Sequence, residues 1–530
     1  MNSPSIPLEP RQAQTYGAAA VTPHYLSTHA ALWTMDRGGN AVDAAIAANA
    51  VQGVVAPETC GVGGDLFTLI HQPGMEAPAA FNASGRAGSG ADAEALRKAG
   101  LDTIPQTHPA AVSVPGCVDG WIELSKRFGR LELGISLEPA IRLATGGFPA
   151  SKELATAFSI RAADFSAQPG AQDMYPGGSP AVTGARIVRP ALARLLSDIA
   201  QRGRAAFYEG PVAAAISAAV EGTITPDDLA SSQPEWVDPI SVDAYGLTAW
   251  TVPPNSQGYI ALLAIEVFQH LVEGSDDEDL WWHLAIESTR QAAADRNSVL
   301  ADPNSSTVVA DALLTPSRIT ALADRIDPER TVATGPRSMA SGGTAYLCVI
   351  DSEGVGVSLI QSNYHGIGSP RAVAEGGFIL HDRGRGFTLE AGHPNELKAG
   401  RRPMHTLSPT LWTRAGRLDT LLGTRGGDAQ PQLVVQLAGS LMGRSLAPGP
   451  AMAVPRWKLA STGTGESRLE VEPGTPDQVV SSLRRRGHVV EVHSRPQPGW
   501  GPMSVIRVND EGLRTGAADP RVDTASIGVG

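Results

Sequence analysis

The stretch from Gly342 to Asp351 limits most strongly what this chain can fold into. Residues 328–343 hold mainly Gly, Pro, Ser and Thr, a composition typical of an exposed loop. Residues 344–350 are apolar without polar alternation, which predicts a strand buried on both faces. The turn residues 351–354 predict a hairpin to a second strand over residues 355–360. A threonine therefore opens a central strand directly after two glycines.

A threonine in this position has a specific chemical use. If the bond between Gly343 and Thr344 is cut, Thr344 becomes a chain terminus with a hydroxyl nucleophile and a free α-amine. The pKa of such an amine is about 7.7–8.0, so near neutral pH it acts as the proton acceptor for the hydroxyl. Glycine before the threonine adopts the strained conformation of self-cleavage at low cost. These residues alone also fit a plain turn that leads into a strand.

Further motifs relate the chain to a known family. From Thr344 the sequence resembles the γ-glutamyltransferase family of N-terminal nucleophile hydrolases, whose nucleophilic threonine opens a strand ending Val-x-Asp-x-x-Gly. The segments that carry the resemblance, in the order of the family, are residues 38–45, 57–65, 114–116, 139–141, 253–256, 344–354, 402–403, 408–410, 426–427 and 519–521. They span nearly the whole chain, and the chain is identified as a member of this family.

The resemblance implies a fold, a division of the chain and a catalytic group. The implied fold is α/β (α+β), a four-layer αββα sandwich. Self-cleavage would give a large fragment, 1–343, and a small one, 344–530, which stay associated as one folded unit. Thr344 would be both nucleophile and α-amino base, Ser362 would orient it, and the N–H groups of Gly426 and Gly427 would form the oxyanion hole. An ordinary glycine turn is the alternative for the last pair.

The acyl pocket departs from the pattern of glutathione-handling members. Where they carry the arginine that holds the substrate carboxylate, this chain has Asn82, and Arg86 follows four residues later as a displaced clamp or a solvated loop residue. Their Asn-Gln-x-x-Asp segment corresponds to residues 382–386, and their paired serines correspond to His405 and Thr406. The predicted substrate-binding residues are Asn82, Arg86, Asn363, Tyr364, Arg383, Arg385, His405 and Thr406.

These departures favour a small amide that carries a negative charge. The segments 82–86, 360–362 and 426–432 resemble those of the oxamate amidohydrolase-like and γ-glutamyltransferase-like acylase branch of the family. The predicted activity is hydrolysis of a small anionic, oxamate-like amide through an acyl-enzyme. One alternative is hydrolysis or transfer of γ-glutamyl groups from glutathione-like donors. Another is an uncleaved relative that binds a small ligand or a partner without activity.

The composition of the chain excludes some classes of binding partner. The formal net charge is −12, which argues against nucleic acid or an anionic membrane as a partner. The first 20 residues lack the pattern of a secretory signal, and no apolar run approaches the roughly 20 residues of a membrane span. Three widely spaced cysteines form neither a disulfide framework nor a metal motif, which favours a reducing cytoplasm. No metal or organic cofactor is expected, and a higher oligomer is compatible with the sequence.

Local patterns give further expectations. Ser27 or Thr28 is predicted to cap a first helix, Asn40 a second over residues 41–54, and residues 120–330 are predicted to be mainly helical. The glycines at 61, 63 and 64 fit a turn before a strand better than a phosphate-binding loop. His283, Glu287 and Arg290 share a helix face, where a surface ion pair is favoured over a metal site.

Overall fold

The computed structural model describes residues 8–272, 277–306, 308–331, 343–461 and 467–530. Two antiparallel seven-stranded sheets make up the centre of the described chain. The first sheet runs, in spatial order, Arg11–Thr15, Arg514–Ala518, Met503–Val508, Arg417–Thr424, Thr410–Arg414, Leu247–Thr251 and Ile240–Ala244. The second runs Ser526–Val529, Ala19–Thr22, Gly343–Ile350, Gly356–Tyr364, Asp65–His71, Ala79–Ala83 and Glu235–Val237.

The two sheets face each other across an apolar core. Side chains from both sheets fill it, among them Phe67, Tyr346, Leu411 and Ile506. The strand Gly343–Ile350 lies in the middle of the second sheet and is buried along its whole length. Burial on both faces explains why this strand shows no polar alternation in the sequence.

Helices cover the outer face of each sheet. The second sheet packs on the layer Tyr25–Asp36, Ala41–Val55, Cys117–Phe128, Leu133–Gly146, Lys152–Ile160, Ala162–Phe165, Pro190–Arg202, Ala205–Tyr208, Gly210–Ala219 and Pro226–Ser231. The first sheet packs on Gly258–Val272, Glu278–Ala292, Arg296–Val299, Pro316–Ala323, Gln430–Ala438, Pro448–Ala453 and Asp477–Arg485. The predicted four-layer αββα sandwich is therefore confirmed.

Smaller elements lie outside these layers. The helix Ala93–Lys98 packs in a separate small apolar cluster. A three-stranded sheet is formed by Trp457–Ser461, Ser467–Val471 and Val490–Val492. Two short strand pairs join Phe148–Pro149 to Arg186–Ile187 and Ala372–Val373 to Phe378–Ile379. In the described part of the chain, no helix is long and apolar enough to cross a membrane.

Several local predictions can be compared with this fold. The cap of the second helix is confirmed, because Asn40 accepts the N–H groups of Val42 and Asp43 in a capping box. The predicted cap of the first helix, Ser27 or Thr28, is wrong: the helix begins at Tyr25, and its N-cap is His24, whose Nδ1 accepts the N–H of Leu26. Most of the predicted loop before Thr344, residues 332–342, lies outside the described residues.

Two predicted regions contain more strand than expected. The second strand of the hairpin continues to Tyr364, because Gln361 and Ser362 form buried hydrogen bonds that a polar run does not reveal. The mainly helical middle also contains the strands Glu235–Val237, Ile240–Ala244 and Leu247–Thr251. They extend the edges of the two sheets.

Candidate active site

The predicted nucleophile Thr344 is buried, and hydrogen bonds connect its hydroxyl, through that of Ser362, to the carbonyl oxygen of Gly343. Its Oγ1 lies 3.0 Å from the Oγ of Ser362, its cross-strand partner. The Ser362 Oγ lies 2.5 Å from the carbonyl oxygen of Gly343 and accepts the N–H of Tyr364 at 2.8 Å. Since a carbonyl oxygen only accepts, Ser362 gives its one proton to Gly343, and Thr344 donates to Ser362. The two hydroxyls are thus ordered toward the bond that precedes Thr344.

The residue before Thr344 has no room for a side chain. A Cβ on Gly343 would lie 2.0 Å from the carbonyl oxygen of Gly366 and 2.7 Å from that of Glu58. Both neighbours are backbone atoms, which cannot rotate away. The strand also shifts register between Gly343 and Thr344, as in a β-bulge. Glycine is therefore required at this position by close backbone approach.

We expect Gly343→Ala to slow the predicted self-cleavage by at least about 10-fold and to lower the free energy of unfolding by about 1–3 kcal/mol, as overpacking does. The clash moves the carbonyl away from the Ser362 hydroxyl. The measurement is the fraction of cleaved chain on a denaturing gel against time after synthesis, together with urea unfolding. Gly146→Ala is the control, since a Cβ there meets nothing within 4 Å. Cleavage of both variants at the wild-type rate would contradict this role.

Tyr364 connects the cleavage position to Arg383. Tyr364 lies opposite Gly343 in the strand pair and has a φ of +76°, which is unusual for a residue with a side chain. The guanidinium carbon of Arg383 lies 3.7 Å from the centre of the Tyr364 ring, a cation–π contact. Arg383 is fully buried, and its Nη1 donates to the Oγ1 of Thr406 at 3.3 Å. Three of the predicted substrate-binding residues, Tyr364, Arg383 and Thr406, are therefore linked by contacts that begin opposite Gly343.

His405 lies close to Arg383 and contacts a buried carboxylate, that of Asp65. Its Nε2 lies 3.0 Å from the Oδ2 of Asp65. Burial and the charge of Arg383 lower the pKa of His405 to about 3, so its ring is neutral near pH 7. The pKa of Asp65 is held below its usual range: burial alone would raise it, and the nearby His381 together with the hydrogen bond from His405 more than offsets burial.

Arg385 points to different partners. Its Nη1 lies 3.1 Å from the Nδ1 of His365 and 3.4 Å from the Oδ2 of Asp382. Its Nε donates to the carbonyl oxygen of Ile104 at 3.3 Å. The guanidinium of Arg385 therefore has protein partners on both sides, in contrast to that of Arg383.

The remaining predicted pocket residues are bound within the protein. Arg86 forms ion pairs with Glu235 at 2.6 Å and with Asp302 at 2.9 Å, so its guanidinium is occupied in this structure. Asn82 donates from Nδ2 to the Oδ1 of Asn255 at 2.9 Å. Asn363 donates to the carbonyl oxygens of two loop residues, and its buried Oδ1 has no partner within the described ranges.

A buried amide holds the predicted oxyanion turn. Gly426 and Gly427 have φ values of +139° and +57°, which a residue with a Cβ rarely adopts. The Nε2 of Gln257 donates to the carbonyl oxygens of both Gly427 and Thr406, each at 3.0 Å. The Nε of Arg296 in turn donates to the Oε1 of Gln257 at 2.9 Å. The turn is thus fixed relative to the segment that carries Thr406.

Five residues of this site were not assigned a role from the sequence. They are Asp65, Gln257, Arg296, His381 and Asp428, the last of which pairs with Arg296 at 2.5 Å. Asp65 ends one of the motifs above, Gln257 directly follows another, and Asp428 directly follows Gly427. The position of these three residues in or next to recognised motifs could have indicated a role for them in the site. Nothing in the local sequence indicated Arg296.

In the described ranges, one group of side chains has the composition of a metal site. The ligand atoms of His283, Glu287 and His488 lie within 4.8 Å of one another. However, the Nδ1 of His283 lies 2.8 Å from the Nε2 of His488, a hydrogen bond, and Arg290 pairs with Glu287 at 3.2 Å. The charge of Arg290 opposes a second cation. The predicted ion pair exists, but it is buried rather than on the surface, because His488 and Thr331 pack over it.

His488 gives a prediction for the pH dependence of stability. Burial, followed by the charges of His283 and Arg290, lowers its pKa to about 3, whereas the unfolded value is about 6.5. Between these two pH values the unfolded chain binds more protons. The contribution of His488 is therefore fully present above pH 6.5 and is lost on acidification, by at most about 1.4 kcal/mol per pH unit.

The measurement is urea unfolding at pH 7.5 and 5.0 of wild type, His488→Asn and His29→Asn. Other buried groups titrate in the same range, so the difference between wild type and variant is the relevant quantity. We expect His488→Asn to lose less stability on acidification than wild type. His29 is exposed and serves as the matched histidine. Equal acid sensitivity of all three proteins would disprove the assignment.

The stacked antiparallel sheets between helical layers, with a threonine opening a central strand, define a sandwich of the N-terminal nucleophile hydrolase type. Comparison with known proteins identifies the family. The Gamma-glutamyltranspeptidase family model matches residues 27–529, and the chain belongs to this family.

Individual relatives cover almost the full chain. The Glutathione hydrolase-like YwrD proenzyme of Bacillus subtilis is 35% identical over 96% of this chain and 98% of its own length. The Oxamate amidohydrolase proenzyme of Klebsiella pneumoniae is 34% identical over 97% and 98%. The crystal structure of a cephalosporin acylase from Bacillus halodurans superimposes with a TM-score of 0.92 at 30% identity, covering 100% of this chain and 98% of that one. The chain is an enzyme of a family of hydrolases and transferases.

Proposed function

We propose that this enzyme cleaves itself between Gly343 and Thr344 and then hydrolyses a small anionic amide through an acyl-enzyme on Thr344. The observation that carries the proposal is the ordered pair of hydroxyls, Thr344 to Ser362 to the Gly343 carbonyl. That the relatives are named proenzymes supports self-processing.

The contacts of the uncleaved chain support an intramolecular first step. The Ser362 hydroxyl donates to the carbonyl oxygen of Gly343 and so polarises the carbonyl carbon. The Thr344 hydroxyl, adjacent in the chain, attacks that carbon. The C–N bond breaks, the threonine nitrogen gains a proton, and an ester joins residue 343 to the Thr344 oxygen. Water then hydrolyses the ester and leaves a free α-amine on Thr344.

The mature enzyme repeats this chemistry on its substrate. The Thr344 oxygen attacks the amide carbonyl while its α-amine takes the hydroxyl proton. The N–H groups of Gly426 and Gly427 hold the oxyanion, and the protonated α-amine gives its proton to the leaving nitrogen. Water, activated by the same amine, cleaves the resulting ester and releases the acid. None of these steps requires a metal or an organic cofactor.

The two fragments, 1–343 and 344–530, would remain together. The strand Gly343–Ile350 is bonded on one side to Ala19–Thr22, which belongs to the large fragment. On its other side lies Gly356–Tyr364, which pairs in turn with Asp65–His71 of the large fragment. Cutting one peptide bond leaves these ladders in place.

The anionic substrate is inferred from the pocket side chains. Arg383 stacks on the ring of Tyr364, the residue that pairs with Gly343, and two nitrogens of its buried guanidinium have no hydrogen-bond partner among the described residues. A carboxylate is the group that such an arginine binds best. One relative, the Oxamate amidohydrolase proenzyme, is named for an amide of this kind.

The test combines mass spectrometry with a panel of substrates. The purified protein is expected to give two chains, one of which begins at Thr344. It should hydrolyse oxamate at least 10-fold more efficiently, in kcat/KM, than an uncharged short-chain amide. Preference for the uncharged amide would overturn the substrate class. One unbroken, inactive chain would instead indicate a ligand-binding relative.

A second candidate activity is γ-glutamyl hydrolysis or transfer, which the 35% identity to a glutathione hydrolase-like proenzyme favours. A γ-glutamyl anilide separates the two activities, since release of aniline reports this activity directly. We expect little release, because Arg86 is held by Glu235 and Asp302, and Asn82 is bonded to Asn255.

A further inference from the structure

Two of the pocket residues that depart from the glutathione-handling pattern, Arg383 and His405, meet at one buried carboxylate. The Oδ2 of Asp65 lies 3.0 Å from the Nε2 of His405, 3.3 Å from the Nδ1 of His381 and 3.8 Å from the Nε of Arg383. Its Oδ1 accepts the N–H of Gly85 at 3.0 Å. The side chains of Asp65, His381, Arg383 and His405 are all fully buried. Residues distant in sequence therefore form one physical unit.

The hydrogen bonds of this unit fix the position of the Asp65 carboxylate. The Nδ1 of His405 accepts the N–H of Leu407 at 3.3 Å, so its Nε2 carries the proton and donates to Asp65. Together with the N–H of Gly85, this anchors both oxygens of the carboxylate. Asp65 is thereby held 3.8 Å from the Nε of Arg383, which is close enough for charge attraction and too far for a hydrogen bond.

Arg383 is left with one open edge. Its Nη1 donates to Thr406, but its Nε and Nη2 have no hydrogen-bond partner in the part of the chain that the structure describes, although both are buried. In a guanidinium these two N–H groups lie side by side and form the fork that binds both oxygens of a carboxylate. Buried donors without partners are costly, so an open fork of this kind is explained by a ligand that fills it. Stacking on the Tyr364 ring keeps the plane of the fork fixed.

We propose that the Nε–Nη2 edge of Arg383 is the subsite for the substrate's carboxylate, and that Asp65 is the residue that positions this edge. The inference rests on the proposed function and narrows it: the acyl donor carries its own carboxylate, bound beside the nucleophile. Thr344 is as buried as Arg383 in the uncleaved chain. The subsite therefore belongs to the cleaved enzyme.

The role of Asp65 follows from the balance of charges. The ionised carboxylate stabilises the buried guanidinium, while its bonds to His405 and Gly85 keep it from occupying the open edge. Without those bonds, Asp65 could move the short distance to Arg383 and close the fork. The histidine is thus needed as a neutral donor, which fits its lowered pKa.

The experiment measures carboxylate binding and turnover separately, on the cleaved enzyme. Oxalate, a small dicarboxylate, is titrated calorimetrically into wild type, Arg383→Lys and Arg383→Gln. Lysine keeps the charge but not the fork, so we expect oxalate affinity to fall about 10-fold in Arg383→Lys and about 100-fold in Arg383→Gln, the scale of a bidentate charge-assisted pair. Arg130→Gln removes the same charge from an exposed ion pair with Glu353 and should bind oxalate as wild type does.

Turnover distinguishes the subsite from a purely structural role. In Arg383→Lys we expect KM for oxamate to rise about 10-fold, with a smaller change in kcat and no loss on an uncharged short-chain amide. Asp65→Ala should show the same rise in KM, and Asp65→Asn, which still accepts from His405 but carries no charge, should recover only part of the affinity. Equal losses on charged and uncharged amides, or unchanged oxalate binding in Arg383→Gln, would overturn the proposal.

These outcomes are separable from failure of the proposed function. If oxalate binds through Arg383 but no amide is hydrolysed, the subsite stands and the amidohydrolase activity is wrong. If uncharged amides are hydrolysed through Thr344 and oxalate does not bind, the activity stands and the subsite is wrong.

Discussion

Thr344→Ala is expected to give a single unbroken chain without measurable amide hydrolysis. The substitution removes the only atom that attacks in both proposed reactions, self-cleavage and turnover. It also leaves residue 344 without the free α-amine that serves as its base. Loss of a covalent nucleophile lowers kcat by at least about 10⁴-fold, so residual activity should fall below detection. A denaturing gel and an oxamate assay on the same preparation measure both effects.

The fold of this variant should survive. Thr344→Ala removes one buried hydrogen bond, to Ser362, and one methyl group, which together cost about 1–2 kcal/mol. Circular dichroism and the urea midpoint check that the loss of activity is chemical. Thr344→Ser is the matched control, since serine keeps the hydroxyl and the amine and should still give two chains. Two chains from Thr344→Ala, cut at the same bond, would contradict the assigned nucleophile.

The sequence predicted those elements correctly for which burial or hydrogen bonding requires particular residue types. The apolar run after Thr344 predicted a central strand because a strand covered on both faces excludes polar alternation, and the strand Gly343–Ile350 lies there. Asn40 predicted a helix start because its side chain satisfies N–H groups that the helix cannot, and it does so in the structure. The family resemblance then supplied the layer order, which local patterns do not encode.

The structure explains why one strand and one helix cap were not predicted. The strand Ile240–Ala244 alternates buried and more exposed positions, so a period of two was present, but five residues are too few to distinguish this pattern from a helix. His24 caps a helix through a ring nitrogen, a role more often filled by Ser, Thr, Asp or Asn. Short elements and uncommon caps depend on tertiary contacts that sequence reading does not provide.

The burial of the pocket arginines also depends on tertiary contacts that the sequence does not reveal. Arg383 lies between a charged residue and a glycine, a context that suggests an exposed turn, yet it is fully buried. Its burial depends on Asp65 and Tyr364, which come from other strands. Arg86 had the better sequence argument as a carboxylate clamp, but Glu235, on a strand that was not predicted, pairs with it. Which arginine is open to a ligand is decided by contacts distant in sequence.

Substitution of Ser362 is expected to have the second large effect on self-cleavage, because its one hydroxyl forms hydrogen bonds with three groups. It accepts from Thr344 and from the N–H of Tyr364, and it donates to the carbonyl oxygen of Gly343. Ser362→Ala removes the donor that polarises this carbonyl and the acceptor that orients the nucleophile. Removal of one such donor typically slows acyl transfer by about 10²–10³-fold, and we expect self-cleavage to slow by at least 10²-fold.

The measurement is the half-time of conversion from one chain to two after synthesis, followed on denaturing gels. Ser362→Thr keeps the hydroxyl and should restore cleavage to within about 10-fold of wild type. Ser358→Ala is the matched control: Ser358 is an equally buried serine on the same strand, and its hydroxyl bonds to Tyr346 instead. If Ser358→Ala slows cleavage as much as Ser362→Ala does, the effect is loss of packing in the strand. If only Ser362→Ala is slow and threonine rescues it, the hydroxyl itself carries the first chemical step.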